Sequence, residues 1–247
     1  MNTKNPFLAF ALLIAGVTVA AAIAYAAVMF SKAFVDARTV DRIVTVKGLA
    51  ERDVRADLAL WPLQYKTTDD DLASALAKIA DDEAAVRTFF ASGGIGENAI
   101  SVQAFSVVDQ LAQRYRSGPV QSRYIVSQTL LVRTNDVDAV AGLAQQVGAL
   151  VKAGVILSND SGQSGPVYLY TKLNEIKPAM LAEAQASARE GAAKFAEDSG
   201  AAVGGIRRAN QGVFQILPRD RAPGLYEPGQ VNKTVRVVST VDYALVD

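Results

Sequence analysis

Phe7 to Phe30 reads FLAFALLIAGVTVAAAIAYAAVMF, twenty-four residues without a charge. As an α-helix rising about 1.5 Å per residue it reaches roughly 36 Å, against about 30 Å for the hydrocarbon core of a bilayer. The run therefore says where such a chain works before anything says what it does. Residues 1–6 are expected as a short cytoplasmic N-terminus, 7–30 as a transmembrane anchor, 31–40 as a linker and 41–247 as the folded body. Phe7, Leu12, Ile14, Val19, Ile23, Val28 and Phe30 belong to the anchor. The competing reading is a cleaved signal peptide, with Lys4 as its positive start and Ala24-Tyr25-Ala26 as a small-x-small cleavage pattern. A signal peptide's apolar stretch usually spans about 7–15 residues, and this run is longer. Lys32, Arg38 and Arg42 follow the run and by charge alone favour a cytoplasmic C-terminal side. A short N-terminal tail before one apolar helix is instead the pattern of a signal-anchor, which puts the body outside the cytoplasm.

From Asp41 onward 22 basic and 24 acidic residues remain, a net charge of −2. That balance gives no support to nucleic-acid binding or to a polybasic lipid patch. The chain has no cysteine, so disulfides, thiolate catalysis and cysteine metal sites are excluded, as suits an oxidising compartment. It has no histidine either, which removes the usual general base and the usual transition-metal ligand. An enzyme built from this chain would work with Asp, Glu, Lys, Tyr or Ser. No metal or cofactor is expected.

The body patterns as an α+β fold. Ile43–Gly48 and Val54–Thr67 read as strands, and Pro62 requires an edge or a bulge in the second. A helix is predicted from Thr68, with Thr68 as its cap and Leu72, Leu76, Ile79, Val86 and Phe90 as its buried stripe, ending at Gly93-Gly94. Ile100–Leu111 and Arg123–Thr134 alternate as strands. A second helix buries Val140, Leu143, Val147 and Leu150, and Val155–Leu157 reads as a short strand. From Val54 to Leu157 this is the split βαβ order, an antiparallel sheet under two helices. A second, βαββ-like unit is expected from Val167. Its helix spans about 178–199, carries Leu181, Ala184, Ala188, Ala192 and Phe195 on one side, and is followed by strands. The subunits would divide near residue 160, at about 41–160 and 161–247. A loose stretch, Pro218–Asn232, precedes the terminal strand.

Several clusters invite a chemical reading, and each has a plainer one. Asp69-Asp70-Asp71 lacks the alternate spacing of a Ca²⁺ loop and fits a helix start better. Asp81-Asp82-Glu83 falls opposite the apolar stripe and reads as a solvated face. Gly200–Gly205 follows a helix and lacks the Lys-Ser/Thr of a phosphate loop. Trp61, Tyr65, Phe105, Tyr115 and Tyr124 would line a cleft, or at strand spacing fill a core. Arg219-Asp220-Arg221 reads as a contact loop or a flexible connection. Arg189 reads as a helix-surface charge or, since interfaces favour Arg, a subunit contact. The β-branched Val235-Arg236-Val237-Val238 reads either as an open edge for self-association through Val235 and Val237, or as a central strand.

Val44-Thr45-Val46-Lys47-Gly48 followed by Ala56-Asp57, Gly94-Ile95 leading to Asn98-Ala99-Ile100, and Tyr124–Ser127 running into Leu131-Val132-Arg133 and Asp136 form an ordered series. It continues with Ala184-x-x-x-Ala188-Arg189, Ser199-Gly200 before Val203-Gly204, and Pro228-Gly229 before a Val-rich terminal strand. Over Asp41–Asp247 the chain resembles the SIMPL-domain family of bacterial secreted or membrane-anchored proteins. It departs at Arg52-Asp53-Val54-Arg55, where that family often has a proline-aspartate pair. The resemblance implies an exported α+β domain, a tendency to assemble into oligomers, no agreed catalytic residues and a link to stress tolerance. The expected function is thus a non-catalytic, self-associating assembly or binding module of the cell envelope, tethered to a bacterial inner membrane. The alternatives are a carboxylate-dependent hydrolase and a signal-cleaved periplasmic ligand carrier.

Overall fold

The alternation and the helical spacing resolve into discrete elements in the computed structural model, which describes residues 6–39, 42–113, 119–158 and 165–246. In chain order they are α1 (Pro6–Thr39), β1 (Ile43–Arg55), β2 (Leu58–Asp69), α2 (Leu72–Ser92), β3 (Ile100–Asp109) and β4 (Tyr124–Thr134). Then come α3 (Val137–Gln145), α4 (Gly148–Lys152), β5 (Val167–Leu169), α5 (Leu173–Asp198), β6 (Ala202–Gln211), β7 (Gln215–Pro218) and β8 (Asn232–Val246). The fold is α+β with two antiparallel sheets. One has the order β3-β4-β2-β5; in the other β8 lies between β1 and β6 and also pairs with β7.

The first sheet is the split βαβ arrangement. The register sets Trp61 opposite Val132, Leu63 opposite Leu130 and Tyr65 opposite Gln128, so these side chains share one face. That face is covered by Ala75, Ile79, Val86 and Phe90 of α2, by Val137, Val140 and Leu143 of α3, and by Leu150 of α4. The Trp61 and Phe90 rings meet edge to face, centroids 5.3 Å apart. Helix α2 is capped by Asp71, whose carboxylate accepts the Ser74 N–H at 2.9 Å; Thr68 and Asp69 lie in β2 instead. The buried stripe runs Ala75–Ile79–Asp82–Val86–Phe90, which leaves Leu72 and Leu76 exposed. Val54 and Arg55 end β1 rather than open β2. Leu157 makes a single bridge to Tyr65, and β5 extends this first sheet at Leu58–Leu60 rather than starting a second one.

Pro62 sits where the sheet tolerates it. Ser158 donates to Gln64 O and Lys66 donates to Ile156 O, so even-numbered residues of β2 turn their backbone groups away from β4. Pro62 has the same parity and brings no N–H to that flank, and β5 reaches only Leu60.

By packing density the chain forms two compact units, neither of which follows a single cut near residue 160. One comprises 50–182 and 213–237, the other the residues up to 49 with 183–212 and 238–247. In the latter, residues 43–49 of β1, 238–246 of β8 and β6 carry the C-terminal part of α5. Val46, Ala188, Ala192, Val241 and Tyr243 form its core. Helix α5 starts at Leu173, ahead of Pro178, which lies within it. Met180, Ala184, Ala188, Ala192 and Ala196 are its buried residues, and Phe195 faces solvent. Small side chains let strand and helix approach closely: a methyl group added at Gly48 would lie 2.5 Å from the backbone nitrogen of Ala188.

Candidate functional site

Helix α1 continues past Phe30 to Thr39, so Ser31–Thr39 of the expected linker is helical; Val40 and Asp41 lie outside the described residues. Leu13–Phe34 has a mean hydropathy of 2.2 and none of it is buried. Ile14, Val19, Ile23, Val28 and Phe30 present bare apolar side chains. Phe7 and Leu12 belong to the same helix, but their side chains lie outside the described set. These 22 residues span about 33 Å, which matches a hydrocarbon core and fits a single-pass anchor or a signal peptide.

The terminal strand is not an open edge. β8 is flanked by β1 on one side and by β6 and β7 on the other, and Val235 and Val237 are fully buried. The edge reading of Val235-Arg236-Val237-Val238 is corrected accordingly: among the described strands these residues lie in a central strand paired on both sides. Arg189 is exposed on α5, where Lys194 pairs with Glu197 at 3.7 Å.

An open edge lies at β3. It pairs only with β4 among the described strands, and Ser101 through Val107 are exposed on both faces. Ile100 to Val108 carries no charge and no proline. The register places Val102 opposite Leu130, shifts at Gln103, then places Phe105 opposite Gln128 and Val107 opposite Val126. The bulge thus keeps three apolar side chains on the face that β4 turns to the core. The helices do not reach them: Val102, Phe105 and Val107 are 52%, 51% and 42% exposed. Unpaired backbone groups beside an apolar stripe, without Lys or Pro to block pairing, are what an added strand needs. The sequence signal for this was present in the absence of charge, but the bulge breaks the alternation that would reveal it.

The charged clusters serve local structure. Asp69 accepts from the Asp71 N–H, Asp70 from the Arg123 N–H, and Asp71 caps α2. Asp81-Asp82-Glu83 is not a solvated face as a whole: Asp82 is 3% exposed and pairs with Lys78. Glu83 accepts from Gln128 at 2.7 Å and from Arg87 at 2.8 Å, and Arg87 also holds Glu97. Burial pushes the Glu83 carboxyl up, but the Gln128 and Arg87 hydrogen bonds and the Arg87 charge together hold it below its ordinary value. Burial also pushes the Tyr65 hydroxyl up, with the Glu83 charge adding to it. Asp57 accepts from both the backbone and the hydroxyl of Thr171, each at 2.7 Å. Burial raises its carboxyl, and these bonds outweigh it to a net lowering. Among the described residues no group of three acidic side chains is placed to hold a metal ion.

Of the aromatics, Trp61 and Tyr65 are core, Phe105 is on the open edge, and Tyr124 lies under the Arg123 guanidinium at 4.8 Å. Tyr115 lies outside the described residues. Gly200, at φ +66°, ends α5, so the glycine-rich stretch is a helix stop and the start of β6. The Pro218–Asn232 stretch is tied down. Asp220 and Gln230 exchange two hydrogen bonds, and the fully buried Lys233 ammonium donates to the Glu227 carboxylate and, at 2.7 Å, to its carbonyl.

Comparison with known families matches residues 44–243 to SIMPL, described as a protein of unknown function (DUF541). The chain belongs to the SIMPL family. The match runs from the first strand of the body to Tyr243 in β8, and so takes in both sheets of the SIMPL fold. No curated protein matches the chain.

Proposed function

We propose that this SIMPL protein is a membrane-tethered, self-associating module of the cell envelope, with its body outside the cytoplasm and no catalysis of its own. One observation carries the reading: an apolar helix with no buried surface precedes a folded body in which, among the described strands, one sheet ends in an uncovered edge at β3. Pairing of β3 with a second copy would satisfy its backbone groups and cover Val102, Phe105 and Val107. The absence of histidine and cysteine, together with carboxylates engaged in caps and ion pairs, supports a non-catalytic role.

The test of topology is proteolysis of spheroplasts. The body is expected to be digested by protease added outside the inner membrane, and to sediment with membranes after carbonate extraction. A body protected until lysis would overturn the placement outside the cytoplasm, and a soluble mature form beginning after Ala26 would overturn the tether.

A further inference from the structure

The interruption at Pro62 leaves a gap in the flank of β2, and the gap is a cavity. Among the described residues two segments pair with this flank, and neither pairs with its middle: the ladder of hydrogen bonds with Ile156–Ser158 reaches Gln64, and β5 reaches Leu60. Continuing the first ladder would need a donor at Pro62, which proline lacks. Between the two lies a cleft of about 320 Å³, at the lower end of the range for small-molecule sites. Its walls are Trp61, Pro62 and Leu63 from β2, Ala144 and Val147 from the α3 side, and Leu157 and Pro166 beyond; none of the described lining residues is charged. Two polar atoms lie in this apolar setting without a partner: Gln64 Oε1 and Ser158 Oγ. Ser158 is only 8% exposed, so water from the bulk does not serve it freely. Leaving a buried oxygen unpaired is unfavourable, and a bound donor would remove that cost.

We infer that this cleft is a binding site for a small, neutral, ring-bearing molecule that carries one hydroxyl or amide donor. The body of the ligand would rest against the Trp61, Pro62, Leu157 and Pro166 side chains. Its O–H or N–H would donate to Gln64 Oε1, and Ser158 Oγ would complete the pair as donor or acceptor. A charged ligand is disfavoured because no described residue of the wall compensates its desolvation. The site is separate from the β3 edge, and its test does not depend on self-association or on membrane topology.

Trp61 is the single tryptophan of the chain and lines the cleft, so its fluorescence reports occupancy directly. The experiment titrates the full chain, held in amphipol, with benzyl alcohol and with benzyl methyl ether, which has the same ring but no donor. The alcohol is expected to give a saturable change with a Kd on the order of 1 mM or tighter, and the ether to bind at least about tenfold more weakly. Ala144→Phe fills the cleft from α3 and should abolish the saturable change. Gln64→Leu combined with Ser158→Ala should bring alcohol and ether to parity while keeping the ring bound. Equal binding of alcohol and ether by the parent chain overturns the inference without any variant. So does an absence of saturation, or an Ala144→Phe chain, folded by circular dichroism, that responds as the parent does.

Discussion

Gly48 and Gly191 face each other's elements across the same packing, yet alanine should have opposite effects at the two positions. At Gly48, a Cβ would stand 2.5 Å from the Ala188 nitrogen and 2.8 Å from the Ala188 Cβ, with the Ala184 carbonyl oxygen closer still. These are mostly backbone atoms of α5, so no side chain can swing aside. Restoring ordinary contact at roughly 3.5 Å requires strand and helix to part by about 1–2 Å. That opens the stripe of Ala184, Ala188 and Ala192, all fully buried, along its length. Overpacking a close-packed layer costs about 1–3 kcal/mol, and an obstacle made of backbone belongs at or above the upper end. At Gly191, the added Cβ meets only Val46 Cγ1 at 3.9 Å, an ordinary contact. There the helix interior gains about 0.5–1 kcal/mol from losing glycine's freedom in the unfolded chain.

The assay is thermal unfolding of the full chain in detergent, followed by far-ultraviolet circular dichroism. For a chain of this length about 1 kcal/mol corresponds to roughly 2–4 °C. Gly48→Ala should therefore melt roughly 6–12 °C lower, and Gly191→Ala roughly 1–4 °C higher. A Gly48→Ala chain that melts within about 2 °C of the parent would refute the close approach of β1 and α5. Equal destabilisation by both substitutions would refute the distinction between backbone and open-space neighbours.

Glu227→Gln should lower stability by about 2–3 kcal/mol, because it leaves the buried Lys233 ammonium without its carboxylate; Lys233→Met on that background should recover most of the loss in urea unfolding, and a Glu227→Gln chain as stable as the parent rejects the pair. The Glu83 carboxyl lies below its ordinary value of 4.5 when folded, so its contribution is complete above that pH and is lost as pH falls through the lowered value. The parent's melting temperature should thus drop more steeply between neutral pH and pH of about 3 than that of Glu83→Gln, and parallel profiles would contradict the Gln128–Glu83–Arg87 arrangement.

How legible this was depends on the range of the interaction. The split βαβ order could be read because each of its elements is local and its strands alternate. Leu72 and Leu76 fall outside the buried stripe because helical periodicity alone cannot say which side of α2 meets the sheet; the small Ala75 and the ion-paired Asp82 occupy the facing stripe. The place of the terminal strand depends on β1 pairing with β8, nearly two hundred residues apart, and β-branched composition is the same for a central strand and an edge. The β3 edge was hidden by one residue, Gln103, whose bulge changes the parity of Val102 relative to Phe105 and Val107. Asp57 belongs to the motif that carries the resemblance, and the structure gives it a physical role as the acceptor that holds Thr171. Pro62, which requires an edge or a bulge, sits in an interior strand at a stretch of the β2 flank that no described strand pairs. Nothing in the sequence said that the same proline would also leave a cleft.

Tether and edge bear on each other through concentration. A single added strand at β3 would offer a few backbone hydrogen bonds and three half-exposed apolar side chains, a contact expected to be weak between freely diffusing bodies. Anchoring both partners in one membrane replaces bulk dilution by a local concentration that reaches the millimolar range for short linkers, and a weak pairing is then populated. The full chain in liposomes should therefore self-associate at densities where the chain shortened to begin at Asp41 remains largely monomeric in solution. Phe105→Lys with Val107→Lys places charge on the stripe and should disperse the liposome form while leaving the fold intact, since both positions already face solvent. Energy transfer between labelled copies measures the first, and circular dichroism checks the second. Undiminished transfer in the lysine variant would rule out β3 as the contact. Equal association of the shortened and full chains would leave the membrane no part in assembly.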